Sequence, residues 1–155
     1  MLELNARDGL ASGVPWIGAE DLRRLVSMKD AIEIVDHAMR ALSTGDVTAP
    51  ERWAMPVAEQ RRMGIMPGAM PSLGRFGIKV ISLFSPAARG ERPSHQGAML
   101  LFDMADGRPL CAVEGGALTA LRTAAASAVA TRALARSPAS DVNHNVARIR
   151  KPYAE

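Results

Sequence analysis

Apolar residues recur at spacings of three and four over one early stretch of the chain, which predicts an amphipathic helix. Ser27, followed three residues later by Asp30, resembles a capping box in which Asp replaces the usual Glu or Gln. Thr44 and Gly45 are expected to close this helix. Its apolar stripe consists of Met28, Ile32, Val35, Met39 and Leu42. We expect the stripe to pack on the strands that follow.

The longest helical signal runs from Gly115 to Arg136. Nine alanines lie between Ala117 and Ala135, and such small side chains allow close approach by a sheet or another helix. The glycines at 115 and 116 are expected to end the preceding strand and begin this helix. Its apolar side consists of Leu118, Leu121, Ala125, Ala128 (or Val129) and Leu134.

Short β-rich runs occupy the rest of the pattern. They are Val14 to Ile17, Glu51 to Met55, Met63 to Met66, Phe76 to Phe84, Gln96 to Phe102 and Leu110 to Val113. We expect Pro56 to end the second run and the glycines and prolines of MPGAMPSLG to interrupt the third. The Asp106-Gly107 pair predicts a hairpin. The predicted fold is α+β, with a mixed, largely antiparallel sheet packed with an amphipathic helix and an Ala-rich connector helix, and with no Rossmann domain.

The composition of the chain limits the classes of protein to which it could belong. With 155 residues, 48% hydrophobic and 23% charged, the chain suits one globular domain. A net charge of +3 from scattered basic residues, with only six aromatics, argues against nucleic acid as a partner. The single Cys111 cannot form an internal disulfide, and no apolar run approaches the roughly 20 residues that span a bilayer. We therefore expect a soluble cytoplasmic protein with no membrane partner.

Metal binding is not expected either. His95 and His144 are far apart and have no Cys, Asp or second His at ligand spacing. His37, near the stripe of the amphipathic helix, is interpreted as a structural or exposed residue. Cys111 is better interpreted as a small hydrophobic residue of a strand than as a nucleophile.

Four motifs occur in order along the chain. They are an arginine on an early strand (Arg52), MPGAMP (Met66 to Pro71), GIKVIS with its Lys79, and the long segment from Pro93 to Arg136. Together they resemble the ornithine cyclodeaminase and mu-crystallin family over roughly residues 15 to 137. The resemblance implies a substrate-binding and dimerisation domain, followed in that family by a Rossmann domain that binds NAD or NADP.

Site residues follow from this resemblance. It implies that Arg52, Lys79 and Arg122 gather around the carboxylate of a small amino or imino acid, which suits the two-pronged binding of a carboxylate by guanidinium groups. Lys79 is the catalytic candidate, since burial could lower its pKa and let it polarise a reacting group. Ser94 falls where the family places a hydroxyl near the nicotinamide cofactor, and Arg122 is expected to approach that cofactor too.

Each of these residues has a simpler interpretation. Lys79 could be a charged residue protecting an edge strand, and Arg122 a surface residue of an Ala-rich helix. Ser94 could be an ordinary loop serine. Arg52 has several arginine neighbours that could take its place, namely Arg61, Arg62 and Arg75.

The sequence departs from the family pattern after the long helix. No GxGxxG motif occurs in the 155 residues, and the last glycine is Gly116. We therefore predict a flexible leader (1–14), a substrate-binding and dimerisation domain (15–136) and an atypical tail (137–155) in place of the NAD(P)-binding domain, as in a truncated family member. NAD or NADP is implied by the family, but this chain lacks most of the cofactor site.

Two functional hypotheses result. The first is the substrate-binding part of an ornithine cyclodeaminase-like enzyme, inactive alone and forming a homodimer. Its whole reaction would be the NAD-dependent deamination and cyclisation of ornithine to proline, or a related oxidation or reduction of an amino or imino acid. The second is a non-catalytic dimerisation or small-molecule-binding domain.

Overall fold

The computed structural model describes residues 13–93 and 96–135. Its fold class is the predicted α+β, and the strands and the two helices predicted above occur in the expected order along the chain. The strands are β1 (Trp16–Ile17), β2 (Trp53–Ala58), β3 (Arg61–Met70), β4 (Arg75–Phe84), β5 (Gln96–Asp103) and β6 (Pro109–Glu114). The helices are α1 (Ala19–Leu25), α2 (Met28–Thr44), α3 (Pro86–Arg89) and α4 (Gly115–Leu134), with a short 3₁₀ turn at Pro71–Leu73. The predicted tail, Ser94 and all but the last two residues of the predicted leader lie outside the described residues.

The six strands form one mixed sheet in the order β1-β6-β5-β4-β3-β2. Only the β1 and β6 pair is parallel, and the other neighbours are antiparallel. The predicted hairpin between β5 and β6 is confirmed, with Gly107 in the left-handed region at φ 74°. This meander makes β4 a central strand, which decides the setting of every side chain on it.

Helix α2 begins with the predicted capping box. The Asp30 amide donates to Ser27 Oγ at 3.2 Å, and the Ser27 amide donates to the Asp30 carboxylate at 3.1 Å. Gly45 ends the helix in the left-handed conformation at φ 84°. A cap of this kind stabilises a helix by about 1 kcal/mol.

The partner of α2 differs from the expected one. Its buried residues Ala31 and Ile32 pack against Ala125 and Ala128 of α4, rather than directly on the strands. The small side chains of α4 let the two helices approach closely, and α4 itself lies on the sheet. The C-terminal half of the α2 stripe is left half-exposed, as at Met39, which leaves a groove between α2 and the sheet.

Two strands run through the predicted breaks. Pro56 lies inside β2, where it is tolerated because β2 is an edge strand. In β3, Ala69 donates its amide outward to the Thr48 carbonyl, away from β4. Pro67, two residues earlier, therefore directs its missing N–H to the same outer side, and the β3–β4 ladder loses no hydrogen bond.

The start of α4 is fixed against the sheet. Gly115 is buried, and a Cβ there would lie 2.7 Å from the carbonyl oxygen of Gly97 on β5. The carboxylate of Glu114 accepts from the amides of Gly116 and Ala117 at 2.7 and 2.5 Å, so it caps the helix. The first turns of α4 are thereby set over β4 and β5.

Candidate functional site

Lys79 lies in the middle of β4, on the sheet face that α4 covers. Its register partners are Met66 on β3 and Met99 on β5. The interpretation of Lys79 as an edge-strand residue is wrong, because β4 has a neighbour on either side. An ammonium group between two methionines, under a helix, is a setting with little solvation.

Thr119 on α4 receives the Lys79 side chain. Lys79 Nζ donates a hydrogen bond to Thr119 Oγ1, and that hydroxyl donates to the carbonyl oxygen of Gly115 at 2.6 Å. Both residues are half-buried. The three groups form a short chain of hydrogen bonds that joins the centre of the sheet to the first turn of α4.

Arg122 follows Thr119 by three residues on the same helix. Burial lowers the pKa of Lys79, and the nearby positive charge of Arg122 lowers the pKa further. Arg122 is exposed, so it can reach a ligand from the solvent side. The two cations repel each other in the absence of an anion, and a bound carboxylate would relieve that repulsion.

Arg52 immediately precedes β2. The β2–β3 ladder begins with the pair of Trp53 and Ile65, so Arg52 lies one residue before it. Met66, the neighbour of Ile65, pairs with Lys79. Arg52 therefore lies just outside the ladder, at the β2 end of the row that contains Met66 and Lys79. It is exposed, and no described hydrogen bond holds it in place.

In the described part of the chain, these three cations lack the ion pairs that several other basic residues form. Within residues 13–93 and 96–135, no ion pair involves Arg52, Lys79 or Arg122. Arg75, by contrast, pairs with Asp103 at 3.4 Å, and Arg132 pairs with Glu33 at 2.9 Å. Arg52, Lys79 and Arg122 are thus among the described basic residues that have no carboxylate partner, as are Lys29, Arg61, Arg62, Arg89 and Arg92.

A groove of about 430 Å³ lies between α2 and the sheet, beside the row of Lys79. Two facing glycines, Gly68 and Gly77, form part of its floor. Among the described residues that line it, Arg75 alone is charged. Its apolar walls include Val35, Met39, Leu42, Met66, Met99 and Leu101.

The sequence interpretation missed two residues of this region. Thr119 was not singled out, although its position three residues before Arg122 places it near the same helix face. Glu114 is the last residue of β6, and its carboxylate caps α4. Ser94 lies outside the described residues, so its predicted place near a cofactor stays a prediction.

The described residues do not fit the phosphates of a dinucleotide. Such a site needs free backbone amides at a helix N-terminus that follows a strand, with glycines that permit close approach. At the junction of β6 and α4, which has the paired glycines 115 and 116, the carboxylate of Glu114 already accepts from the first amides. An anion at this terminus would meet a negative charge.

No group of three or more His, Cys, Asp or Glu side chains that could hold a metal ion occurs in the part of the chain that the structure describes. None of the helices described is both long enough and apolar enough to cross a membrane.

Known proteins are similar to this chain in sequence and in fold. Δ1-pyrroline-2-carboxylate reductase of Bacillus cereus is 36% identical over 121 residues, which are 77% of this chain and 37% of that protein. The structure of Thermococcus litoralis Δ1-pyrroline-2-carboxylate reductase in complex with NADH and L-proline matches with a TM-score of 0.74 and 35% identity, over 79% of this chain and 38% of that one. An archaeal alanine dehydrogenase dimer with bound NAD matches with a TM-score of 0.72 and 26% identity, over 79% and 38%.

The chain therefore spans less than two fifths of the length of these relatives. The model of the ornithine cyclodeaminase/mu-crystallin family matches residues 17–143. That match covers most of the chain, including the strand of Lys79 and the helix of Thr119 and Arg122. By fold and by sequence, this chain belongs to the ornithine cyclodeaminase/mu-crystallin family.

Proposed function

We propose that residues 15–136 form the substrate-binding part of an NAD(P)-dependent oxidoreductase that acts on a small amino or imino acid. One observation carries the proposal. Lys79 is held under α4 beside Arg122, and no described carboxylate neutralises either cation. A small zwitterion offers its carboxylate as the natural counterion for such a pair.

The roles divide by chemistry. Arg122, and Arg52 from the far end of the row, would hold the carboxylate through paired N–H donors. Lys79 would be the catalytic residue, since its lowered pKa makes proton exchange with a reacting nitrogen or carbon centre easier than for an ordinary lysine. Ser94 and Arg122 would face the cofactor, whose phosphates would have to be bound outside the described residues.

The groove favours a compact substrate. Its described lining carries no acidic side chain that could receive a second ammonium group. A cyclic imino acid such as pyrroline carboxylate fits this lining better than ornithine, and the Thermococcus relative was solved with L-proline. We therefore favour imine reduction, or its reverse, over the deamination and cyclisation of ornithine. The half-buried single Cys111 is compatible with the cytoplasmic location that we propose for this activity.

Calorimetry on the purified 155-residue chain tests the proposal. Pyrrole-2-carboxylate, a planar analogue of the cyclic imino acid, should bind, and ornithine should bind more weakly. Arg122→Ala should weaken the analogue's binding by about tenfold, the equivalent of 1.4 kcal/mol. Arg62→Ala, which removes an exposed arginine of β3, is the matched control. No heat of binding at millimolar analogue would overturn the proposal, as would equal losses in both variants.

Catalysis by this chain alone is not expected, because the described residues offer no dinucleotide site. Titration with NAD and NADP checks this. Micromolar binding of either cofactor to the 155-residue chain would contradict the expectation and would restore catalysis by this chain as a hypothesis.

A second candidate function, a homodimerisation domain, is favoured by the other face of the sheet. Helix α4, with α1 and α2 packed on it, lies on the face of Lys79, and the register places apolar side chains on the opposite face. Trp16, Trp53 and Leu100 are 57%, 59% and 36% exposed there. Apolar surface of this kind marks an interface. A second copy is the occupant we propose, because the alanine dehydrogenase neighbour is a dimer.

Sedimentation equilibrium measures whether the 155-residue chain forms the proposed dimer. Leu100→Arg would place a charge in the middle of the outer face and should convert dimer to monomer. Leu134→Arg, at an exposed leucine at the end of α4, should leave the dimer intact. A monomeric parent chain would contradict this second function without affecting the binding experiment.

A further inference from the structure

We infer that Thr119 positions the amino group of Lys79 for the substrate carboxylate. This role rests on the function proposed above. Thr119 is a positioning residue, because it acts through Lys79.

Hydrogen-bond geometry supplies the first argument. The Thr119 hydroxyl donates its single proton to the Gly115 carbonyl at 2.6 Å. Its oxygen therefore offers only lone pairs to Lys79, whose Nζ donates to it. One N–H of the Lys79 ammonium group is held in a defined direction, and its other two N–H donors are left for a ligand. A side chain of the same shape without a hydroxyl could not do this.

Rigidity of the anchor supplies the second argument. The Gly115 carbonyl, which takes the threonine proton, belongs to a buried residue packed against the backbone of Gly97. The cap formed by Glu114 holds the next two amides. The hydrogen-bond chain thus ends on backbone that cannot shift far. A lysine has four rotatable side-chain bonds, and fixing its amino group in advance lowers the entropy lost on binding.

An ordinary helical role for Thr119 is the competing explanation. Threonine and serine often donate to the carbonyl four residues earlier without further purpose. Thr131 does so in this helix, donating to the Ser127 carbonyl at 2.8 Å, and it is half-buried, as Thr119 is. Among the described hydrogen bonds, Thr119 is the member of α4 that also accepts from a lysine. Thr131 is therefore a matched control for any effect of losing the helical bond alone.

The experiment uses three variants of the 155-residue chain: Thr119→Val, Thr119→Ser and Thr131→Val. The first readout is the ¹⁵N NMR signal of the Lys79 amino group at low temperature. Protection from exchange with water should be present in the parent, Thr119→Ser and Thr131→Val chains. It should be lost, by tenfold or more in exchange rate, in Thr119→Val. Equal protection in Thr119→Val would overturn the inference.

The second readout is the affinity for pyrrole-2-carboxylate. Thr119→Val should weaken it five- to tenfold, Thr119→Ser should restore it, and Thr131→Val should leave it unchanged. A merely structural threonine would lower stability equally in both valine variants and would leave affinity alone. If the parent chain fails to bind the analogue, the proposed function fails, and with it the positioning role. Loss of Lys79 protection in Thr119→Val would then show only that the hydrogen bond exists.

Discussion

Gly115 lies backbone to backbone against Gly97, so that a Cβ on Gly115 would sit 2.7 Å from the Gly97 carbonyl oxygen. This contact joins the first residue of α4 to the second residue of β5. It lets the helix carrying Thr119 and Arg122 approach the strand of Lys79. A side chain at Gly115 would force the helix away from the sheet, whereas a Cβ at Gly97 would overlap the Val80 carbonyl oxygen of β4.

Gly115→Ala should therefore destabilise the fold by about 1–3 kcal/mol, the usual range for overpacking. The neighbouring atoms are backbone and cannot rotate aside. Urea denaturation measures the change in the free energy of unfolding. Gly68→Ala is the control, because a Cβ there would meet its nearest neighbour at 3.7 Å, an ordinary contact. If both variants were equally stable, the close approach would not matter.

Glu114→Ala should cost about 1–2 kcal/mol, since two amide donors of α4 would lose their acceptor. Thermal and urea unfolding both detect a change of this size. Glu20→Ala removes a carboxylate that pairs with Arg23 on the surface of α1, and it should cost little. Similar losses in the two variants would show that the Glu114 cap adds nothing specific.

Lys79→Met should change how stability depends on pH. Because burial lowers the folded-state pKa of Lys79, the unfolded chain binds more protons between that pKa and the ordinary value of 10.5. The parent chain should therefore gain stability relative to Lys79→Met as pH rises through this interval. Below the interval, the half-buried ammonium should make the parent relatively less stable than the variant.

Urea unfolding of the parent chain and of Lys79→Met at several pH values from 7 to 10.5 measures whether the stability difference changes in this direction. Lys29→Met, at an exposed lysine of α2, is the matched control. A stability difference between Lys79→Met and the parent that stays constant with pH would contradict the lowered pKa.

Arg122→Ala should raise the pKa of Lys79 toward its ordinary value, because the guanidinium charge contributes to lowering it. Burial would remain, so the return should be partial. ¹³C NMR of the lysine Cε follows the titration directly. Arg132→Ala removes a cation at the other end of α4, which pairs with Glu33, and should leave the Lys79 titration in place. If the pKa of Lys79 were the same in Arg122→Ala as in the parent, the charge of Arg122 would not contribute to lowering it.

Local signals in the sequence predicted the elements well. The Ser27 and Asp30 box and the Asp106-Gly107 turn depend on residues a few positions apart, and both occur as expected. Pro67 misled because its tolerance depends on which side of β3 its nitrogen faces, and that is decided by pairing with Thr48 and β4. The helix partner of α2 was also a tertiary choice, since an apolar stripe does not specify what covers it.

The same distinction between local and tertiary signals applies to the site residues. Lys79 and Arg122 were found through motifs, and the structure brings Lys79 beneath α4, close to Arg122 on that helix. Arg52 joins them only through the register of β2 and β3. Thr119 could not be recognised from its neighbours alone, because its contact with Lys79 spans 40 residues and requires α4 to dock on the sheet.

The fixed start of α4 has a mechanical consequence. A helix rises 1.5 Å per residue, so Arg122 lies roughly 10 Å from the pivot at Gly115, and Leu134 lies almost 30 Å away. A tilt about that pivot would move the far end about three times as far as Arg122. A displacement imposed beyond Leu134 would thus reach the carboxylate-binding residues at reduced amplitude, and Thr119, about 6 Å from the pivot, would move about a fifth as far as Leu134.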